Sequence, residues 1–387
     1  MANIIFYENL TWPEVEKLDR SLPVILTFNR DIPWQKYFSQ GAIVLPSIPY
    51  GWGWDGLVND EESMVAILNQ LTRCMVEQGF EKIFFVSYSK MDGLHPNLHY
   101  MYYQAIFSPE DDPAQEEVNI FNDTGWNRIF IEGSRERVVL IPVGQVEQHG
   151  FHAPLSTDTD IVEAICKSVA ERMPEDCFSL PVMPYGVSTH RRNFPGTLSC
   201  DGRTFEDFCL SLADSLVRWG YNKLYFISGH GGNVSYLTNV IKAAGEKHPD
   251  AFIATAWLYL SGPEGVKSLE EHRESAIGGM GHACELETSL MLYLKPELVH
   301  MDRVVDEINF ITTPSYYMDW IEGGALIANP PWTDDTRTGA YGAGSKATKA
   351  KGKIWFEAAV KEKMTHVVEI NEQYQRRLKK KLLSNTY

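Results

Sequence analysis

The sequence predicts an α/β fold, a three-layer α/β/α sandwich with a mostly parallel sheet. Three observations carry that expectation. Between residues 137 and 296, apolar runs of strand length alternate with longer stretches of helical periodicity, the pattern of β-α units that return parallel. The loops after these strands gather histidines, carboxylates and glycines, as open sheets do at the carboxyl ends of their strands. The chain also echoes itself. VLPSIPYG (44–51) resembles SLPVMPYG (179–186), and EQGFEKIFFVSYSKMDG (77–93) resembles RWGYNKLYFISGHGGN (218–233), in the same order.

Along the second copy, RVVLIP (137–142) is a β-branched apolar run and reads as a buried strand. DIVEAICKSVAERMP (160–174) spaces its apolar residues as a helix does, with Asp160 expected as N-cap. FSLPVMPYG (178–186) is a short strand and turn. TFEDFCLSLADSLVRWG (204–220) is a helix whose acidic first turn suits the positive end of its dipole. KLYFISGHGGN (223–233) is a strand ending in a glycine-rich turn, and AFIATAWLYL (251–260) is another strand. HACELETSLMLYLKP (282–296) is a helix stopped by Pro296. Right-handed crossovers would gather the strand ends on one edge. The echo predicts a tandem duplication: a degenerate pseudo-domain over 1–115 and a catalytic domain over 116–387, joined near the acidic, proline-containing SPEDDPAQEEVN (108–119). The first copy has VILTFNRDIP where the second has EQHG, and SYSKMDG where the second has SGHGGN.

A formal net charge of −16 disfavours nucleic-acid partners, which need basic patches. The one basic run, RRLKKKLL (376–383), reads as a solvated helix end. No apolar run reaches the ~18 residues of a membrane span, and no signal-peptide pattern is visible. Six cysteines without CxxC spacing point to a reduced, cytoplasmic protein.

The chemistry concentrates in VGQVEQHGFHAPLSTDTD (143–160). Glu147, His149 and Asp158, with His152 close by, supply mixed N/O donors at a strand end, which suits a divalent transition metal. His152 reads as an orienting partner. In Ser228-Gly-His230-Gly-Gly-Asn233 the glycines leave His230 facing open space, and no P-loop or GxGxxG pattern supports a phosphate cradle. On a continuous helix His282 and Glu285 would share a face, although the flexible IGGMG (277–281) allows His282 to sit before it. THRRNFPGT (189–197) is a polar-aromatic turn, with His190 and Phe194 expected on a substrate rim. Tyr50, Trp52 and Trp54 read as packing.

Taken together, EQHGFHAPLSTD, FPGTLS, GHGGN and HACELETS, in this order, resemble the creatininase family of metal-dependent hydrolases. TRTGAYGAGSKATKAKGK (336–353) resembles the family's closing segment and NLTWPEVEKLD (9–19) its N-terminal helix. The resemblance implies a creatininase-like fold and two divalent ions (Zn, Mn or Fe), held by Glu147, His149, Asp158 and His230, with Asp158 bridging. Creatininase has a glutamate ligand two residues after the histidine of the glycine-rich turn, where this chain has Gly232. Glu287, or Glu285, would then supply the missing ligand, and creatinine is disfavoured as substrate. His282 would serve as proton donor to the leaving group, with Glu287 as ligand or as its orienting partner. Ser228 and Asn233 would donate hydrogen bonds to substrate. The implied activity is hydrolysis of a small cyclic or formyl amide by metal-activated water. The alternatives are cleavage of a C–C bond in a cyclic polyol ketone, as in 3-dehydro-scyllo-inosose hydrolase, and a non-catalytic scaffold. A small-molecule substrate, a homo-oligomer, and no nucleic-acid or membrane partner complete the expectation.

Overall fold

The computed structural model describes residues 3–384 apart from 29–31, 33, 50–59, 88–90, 103–133, 258–261, 309, 311 and 321–322. Tyr50, Trp52, Trp54, the linker at 108–119 and the boundary at 115/116 lie outside the described residues. The N-terminal strands are β1 (Ile4–Phe6), β2 (Val24–Thr27), β3 (Ala42–Val44), β4 (Ile83–Ser87) and β5 (Leu98–Tyr102); they pair in parallel in the order β1-β3-β2-β4-β5. The second sheet, also parallel, holds β6 (Val138–Val143), β7 (Cys177–Ser179), β8 (Lys223–Ser228) and β9 (Phe252–Trp257) in the order β7-β6-β8-β9. β10 (Met280–His282) and β11 (Tyr341–Gly342) form a small antiparallel ribbon. Apart from its outer strand β1, the first sheet repeats the order of the second.

The helices are α1 (Trp12–Glu16), α2 (Glu61–Glu77), α3 (Thr157–Arg172), α4 (Gly202–Arg218), α5 (Val234–Lys247), α6 (Pro263–His272), α7 (Glu285–Leu294) and α8 (Lys349–Ser384). Alternation along the strands sorts them into layers. Val138 and Leu140 of β6, with Tyr225 and Ile227 of β8, pack with Ile161 and Ile165 of α3, Leu290 of α7 and Trp355 of α8. Val139 and Ile141, with Leu224 and Phe226, face Phe205, Phe208 and Leu212 of α4 and Leu237 of α5. The expected α/β/α sandwich is therefore present. The α4 side of this core continues without a break into Val24, Leu26, Ile83 and Phe85 of the first sheet through Leu68, Leu71 and Met75 of α2.

α2 and α4 occupy equivalent places in the two sheets and pack against each other. Asp60 caps α2 by accepting from Ser63 N at 2.8 Å, and Asp201 caps α4 by accepting from Thr204 N at 3.0 Å. The caps also cross the contact: Asp60 N donates to Ser211 Oγ at 2.9 Å, and Gln70 donates to the Asp201 carboxylate.

Two details differ from expectation. α3 begins at Thr157 with Ser156 before it, so Asp160 is not a cap; it lies in the first turn, accepting from Ser156 Oγ at 2.7 Å and pairing with Lys295 at 2.7 Å. His282 ends β10 rather than opening a helix, because Ala283 takes a left-handed φ of 50° and turns the chain before α7.

α8 crosses α7 so closely that a Cβ on Gly352 would stand 1.8 Å from the Ser289 carbonyl oxygen. Gly352→Ala is expected to cost about 2 kcal/mol through overpacking. The measurement is thermal denaturation of the metal-free protein; an unchanged midpoint would show that α7 is not held by this contact.

Candidate metal centre

β6 and β8 are neighbours, but β6 connects outward to β7 on one side and β8 outward to β9 on the other. Their carboxyl ends thus flank a topological switch point, where open sheets leave a crevice. The segment after β6 delivers Glu147 and His149, the first turn of α3 delivers Asp158, and the turn after β8 delivers His230. Glycine makes the approach possible: a Cβ on Gly229 would lie 2.5 Å from the Asp158 carbonyl oxygen. From the opposite wall, β10 brings His282 and α7 brings Glu287. All six side chains are buried.

Their donor atoms converge. Asp158 Oδ1 lies 3.3 Å from His149 Nε2 and Asp158 Oδ2 lies 3.2 Å from His230 Nδ1. Glu147 Oε1 is 3.3 Å from His230 Nδ1 and 3.5 Å from His282 Nδ1. Glu287 Oε2 stands 4.0 Å from both His149 Nε2 and His282 Nδ1. Two compact triads result, Glu147/Asp158/His230 and His149/Asp158/Glu287, which share Asp158; Glu147, His149 and His282 form a third grouping.

Each imidazole is anchored in the same way. His149 Nδ1–H faces the Glu147 carbonyl at 3.1 Å, His230 Nε2–H the Val187 carbonyl at 3.0 Å, and His282 Nε2–H the Gln148 carbonyl at 2.6 Å. With one nitrogen donating to backbone, the other is aimed at the carboxylates, where a metal ion would replace its proton. The carboxylates are steered likewise: Glu147 Oε2 accepts from Ser188 Oγ at 2.5 Å, and Glu287 Oε2 from Ala283 N at 2.6 Å. Among the described residues His149 Nε2 and Asp158 Oδ2 are fully buried without a hydrogen-bond partner. Burying polar atoms in this way is costly unless a ligand satisfies them, so the donor set fits divalent cations.

The charges respond to this crowding. Burial opposes protonation of His149 and His230, but Asp158 and Glu147 outweigh it, raising them to about 8 and about 9. Burial would raise the Glu147 carboxyl; Arg191 and the His230 ring overcome it and hold Glu147 well below the usual range. Glu287 is pushed up to about 7 by burial, with the Asp158 charge adding to it. Burial and the Arg191 charge keep the His282 pKa well below normal, so this ring is neutral.

Glu287 is the carboxylate that joins the cluster. Glu285 turns away, accepting from Ser275 N at 2.8 Å and pairing with Lys351 at 2.7 Å. A glutamate is sterically excluded from position 232, because a Cβ there would lie 2.2 Å from the Val187 carbonyl oxygen that orients His230. Ser228 and Asn233, expected at the substrate, serve the scaffold instead. Ser228 Oγ donates to the His230 carbonyl at 2.6 Å; Asn233 Oδ1 accepts from Val187 N at 2.9 Å and its amide donates to the Gly144 carbonyl at 3.0 Å. Phe194 is buried with Trp332 and Tyr341. The His190 ring lies beside the centre, 6.5 Å from His230 and 5.0 Å from Trp332 between centroids. His152 contacts Thr288 Oγ1 at 2.9 Å behind the cluster. Two site residues were not anticipated. Arg191 reaches Glu147 Oε1 with Nη1 at 2.5 Å, and its guanidinium lies 3.8 Å over the Trp332 ring. Arg191 adjoins His190 in a turn already singled out, but nothing local marks Trp332.

A parallel α/β sheet with paired carboxylate–imidazole triads at its switch point is the framework of a metal-dependent hydrolase. Comparison with known proteins agrees. The family described as Creatininase: Creatinine amidohydrolase matches residues 123–367, and the chain belongs to that family. It is 30% identical over 236 residues to the creatinine amidohydrolase of Pseudomonas putida, covering 58% of this chain and 85% of that one. It is 33% identical over 173 residues to a mycofactocin precursor peptide peptidase of Mycobacterium ulcerans (strain Agy99), covering 43% and 62%. Among solved structures it is similar to a creatininase described as its Mn form, with a TM-score of 0.51 and 26% identity over 60% of this chain and 91% of that one.

Metal uptake must displace the protons that His149 and His230 hold below about 8 and 9. Affinity for Zn or Mn should therefore climb from pH 7 to pH 9, with proton release seen calorimetrically as a heat that varies with buffer ionisation enthalpy. Because both folded-state values are raised, the stabilisation they give the metal-free protein is full below about 6.5 and lost through pH 8–9. A buffer-independent heat would contradict these protonation states.

Proposed function

We propose that this chain hydrolyses the C–N bond of a small cyclic or formyl amide. The observation that carries the reading is the pair of buried triads meeting at Asp158. Glu147, Asp158 and His230 would hold one divalent ion (Zn, Mn or Fe), and His149, Asp158 and Glu287 the other. Such ions lower the pKa of water towards 7 and polarise a carbonyl, which makes hydrolysis possible at neutral pH. His282 would do the proton work: fixed by its Nε2–H bond to the Gln148 carbonyl, it presents Nδ1 as the atom that would relay a proton from the attacking water to the departing nitrogen. Arg191, His190 and Trp332 lie together beside the centre, and Trp257 and Trp320, edge-to-face with centroids 4.4 Å apart, lie next to Gly231.

The N-terminal segment is read as a degenerate copy of the catalytic one. Its repeated strand order and the matching Asp60 and Asp201 caps support this. The six cysteines, all free and buried, support a reducing, cytoplasmic setting. Among the described residues no helix is long and apolar enough to cross a membrane. A homo-oligomer is part of the same proposal, with exposed Met301, Val305, Ile308 and Ile327 as apolar surface it could cover.

Asp158→Asn should lower metal content at both positions, whereas Glu287→Gln should leave about one ion per chain, both read by elemental analysis of purified protein. Full occupancy in Asp158→Asn would remove the shared-ligand reading. A substrate panel fixes the bond: ammonia, amine or formate supports amide hydrolysis, and an acyclic keto product from a cyclic polyol ketone would transfer the activity to C–C cleavage.

A further inference from the structure

We propose that Arg191 is a specificity residue that receives a carboxylate of the substrate, so that the preferred amide is anionic. The proposal deepens the hydrolase reading and rests on it. Arg191 is a buried cation at the edge of the metal centre. Its Nη1 donates to Glu147 Oε1 at 2.5 Å and lies 3.5 Å from His230 Nδ1. Its Nε–H is buried with no acceptor among the described residues. A buried guanidinium with an unused donor is costly unless an anion completes it. The plane of the group is set by Trp332, which lies 3.8 Å beneath it, and a fixed plane is what two-point recognition of a carboxylate requires.

Competition at Glu147 points the same way. Oε1 of this carboxylate is shared by Arg191, His230 and His282. A cation held by Glu147 would compete for this carboxylate and loosen its hold on Arg191, which would leave the guanidinium for another anion. Charge balance also favours one. Three ionised carboxylates set against one guanidinium and two divalent ions leave the centre about two charges positive. A cationic substrate would meet repulsion at Arg191; a carboxylate beside the scissile amide would be drawn in.

The test compares metal-loaded wild-type protein with Arg191→Gln and Arg191→Lys by calorimetric titration of acetate and of its neutral isostere acetamide, with metal content measured on each sample. Acetate is expected to bind at least about tenfold more weakly to Arg191→Gln and several-fold more weakly to Arg191→Lys, which keeps the charge but loses the planar fork. Acetamide should bind all three alike. A purely structural role for Arg191 would weaken both ligands together. Equal acetate affinity in metal-loaded wild type and either variant overturns this proposal and leaves the hydrolase reading standing. Should Arg191→Gln not fold, Arg191→Lys decides alone. A wild-type protein that takes up no divalent metal overturns the hydrolase reading and this proposal with it.

Discussion

Three carboxylates buried within a few ångströms of one another are a liability unless positive charge sits among them. That constraint organises the loops at the carboxyl ends of the second sheet. Glu147, Asp158 and Glu287 come from three separate elements, and the fold spends a neutral or cationic group on each. Without metal, protons on His149 and His230 and the guanidinium of Arg191 supply the compensation. The depressed Glu147 and the elevated Glu287 show that it is unevenly distributed, with the Arg191 side better compensated than the α7 side.

The scaffold behind this cluster consists of backbone groups and small polar residues. Carbonyls of residues 147, 148 and 187 fix the three imidazoles; Ser188 and the Ala283 N–H fix two carboxylates. Asn233 ties the strand ends together by bonding both Val187 N and the Gly144 carbonyl, and a Cβ on Gly186 would collide with it at 2.2 Å. The strained φ of 50° at Ala283 belongs to the same design, since it turns His282 inward while its N–H reaches Glu287.

Much of this was legible in the sequence, for identifiable reasons. Buried parallel strands write themselves as apolar runs, so β6 and β8 could be read directly, and ligands clustered just after them needed only the rule that parallel strand ends share an edge. Glu287 against Glu285 could not be decided by helix periodicity, because His282 is on a strand and the intervening turn breaks the period. Ser228 and Asn233 were expected at the substrate because polar residues in a ligand-bearing turn look available, yet Ser228 satisfies the backbone of its own turn and Asn233 that of two neighbouring loops. Arg191 and Trp332 meet across about 140 residues of chain. No local pattern reports such a meeting.

The contact between α2 and α4 has a consequence of its own. Equivalent helices from two like-ordered sheets pair here inside one polypeptide, through a core with no seam. A pairing that two separate chains would have to find by collision is present at every dilution, at an effective concentration set by the tether. The first sheet therefore lends the second a packing surface that cannot dissociate from it, and that surface depends on the face of α2.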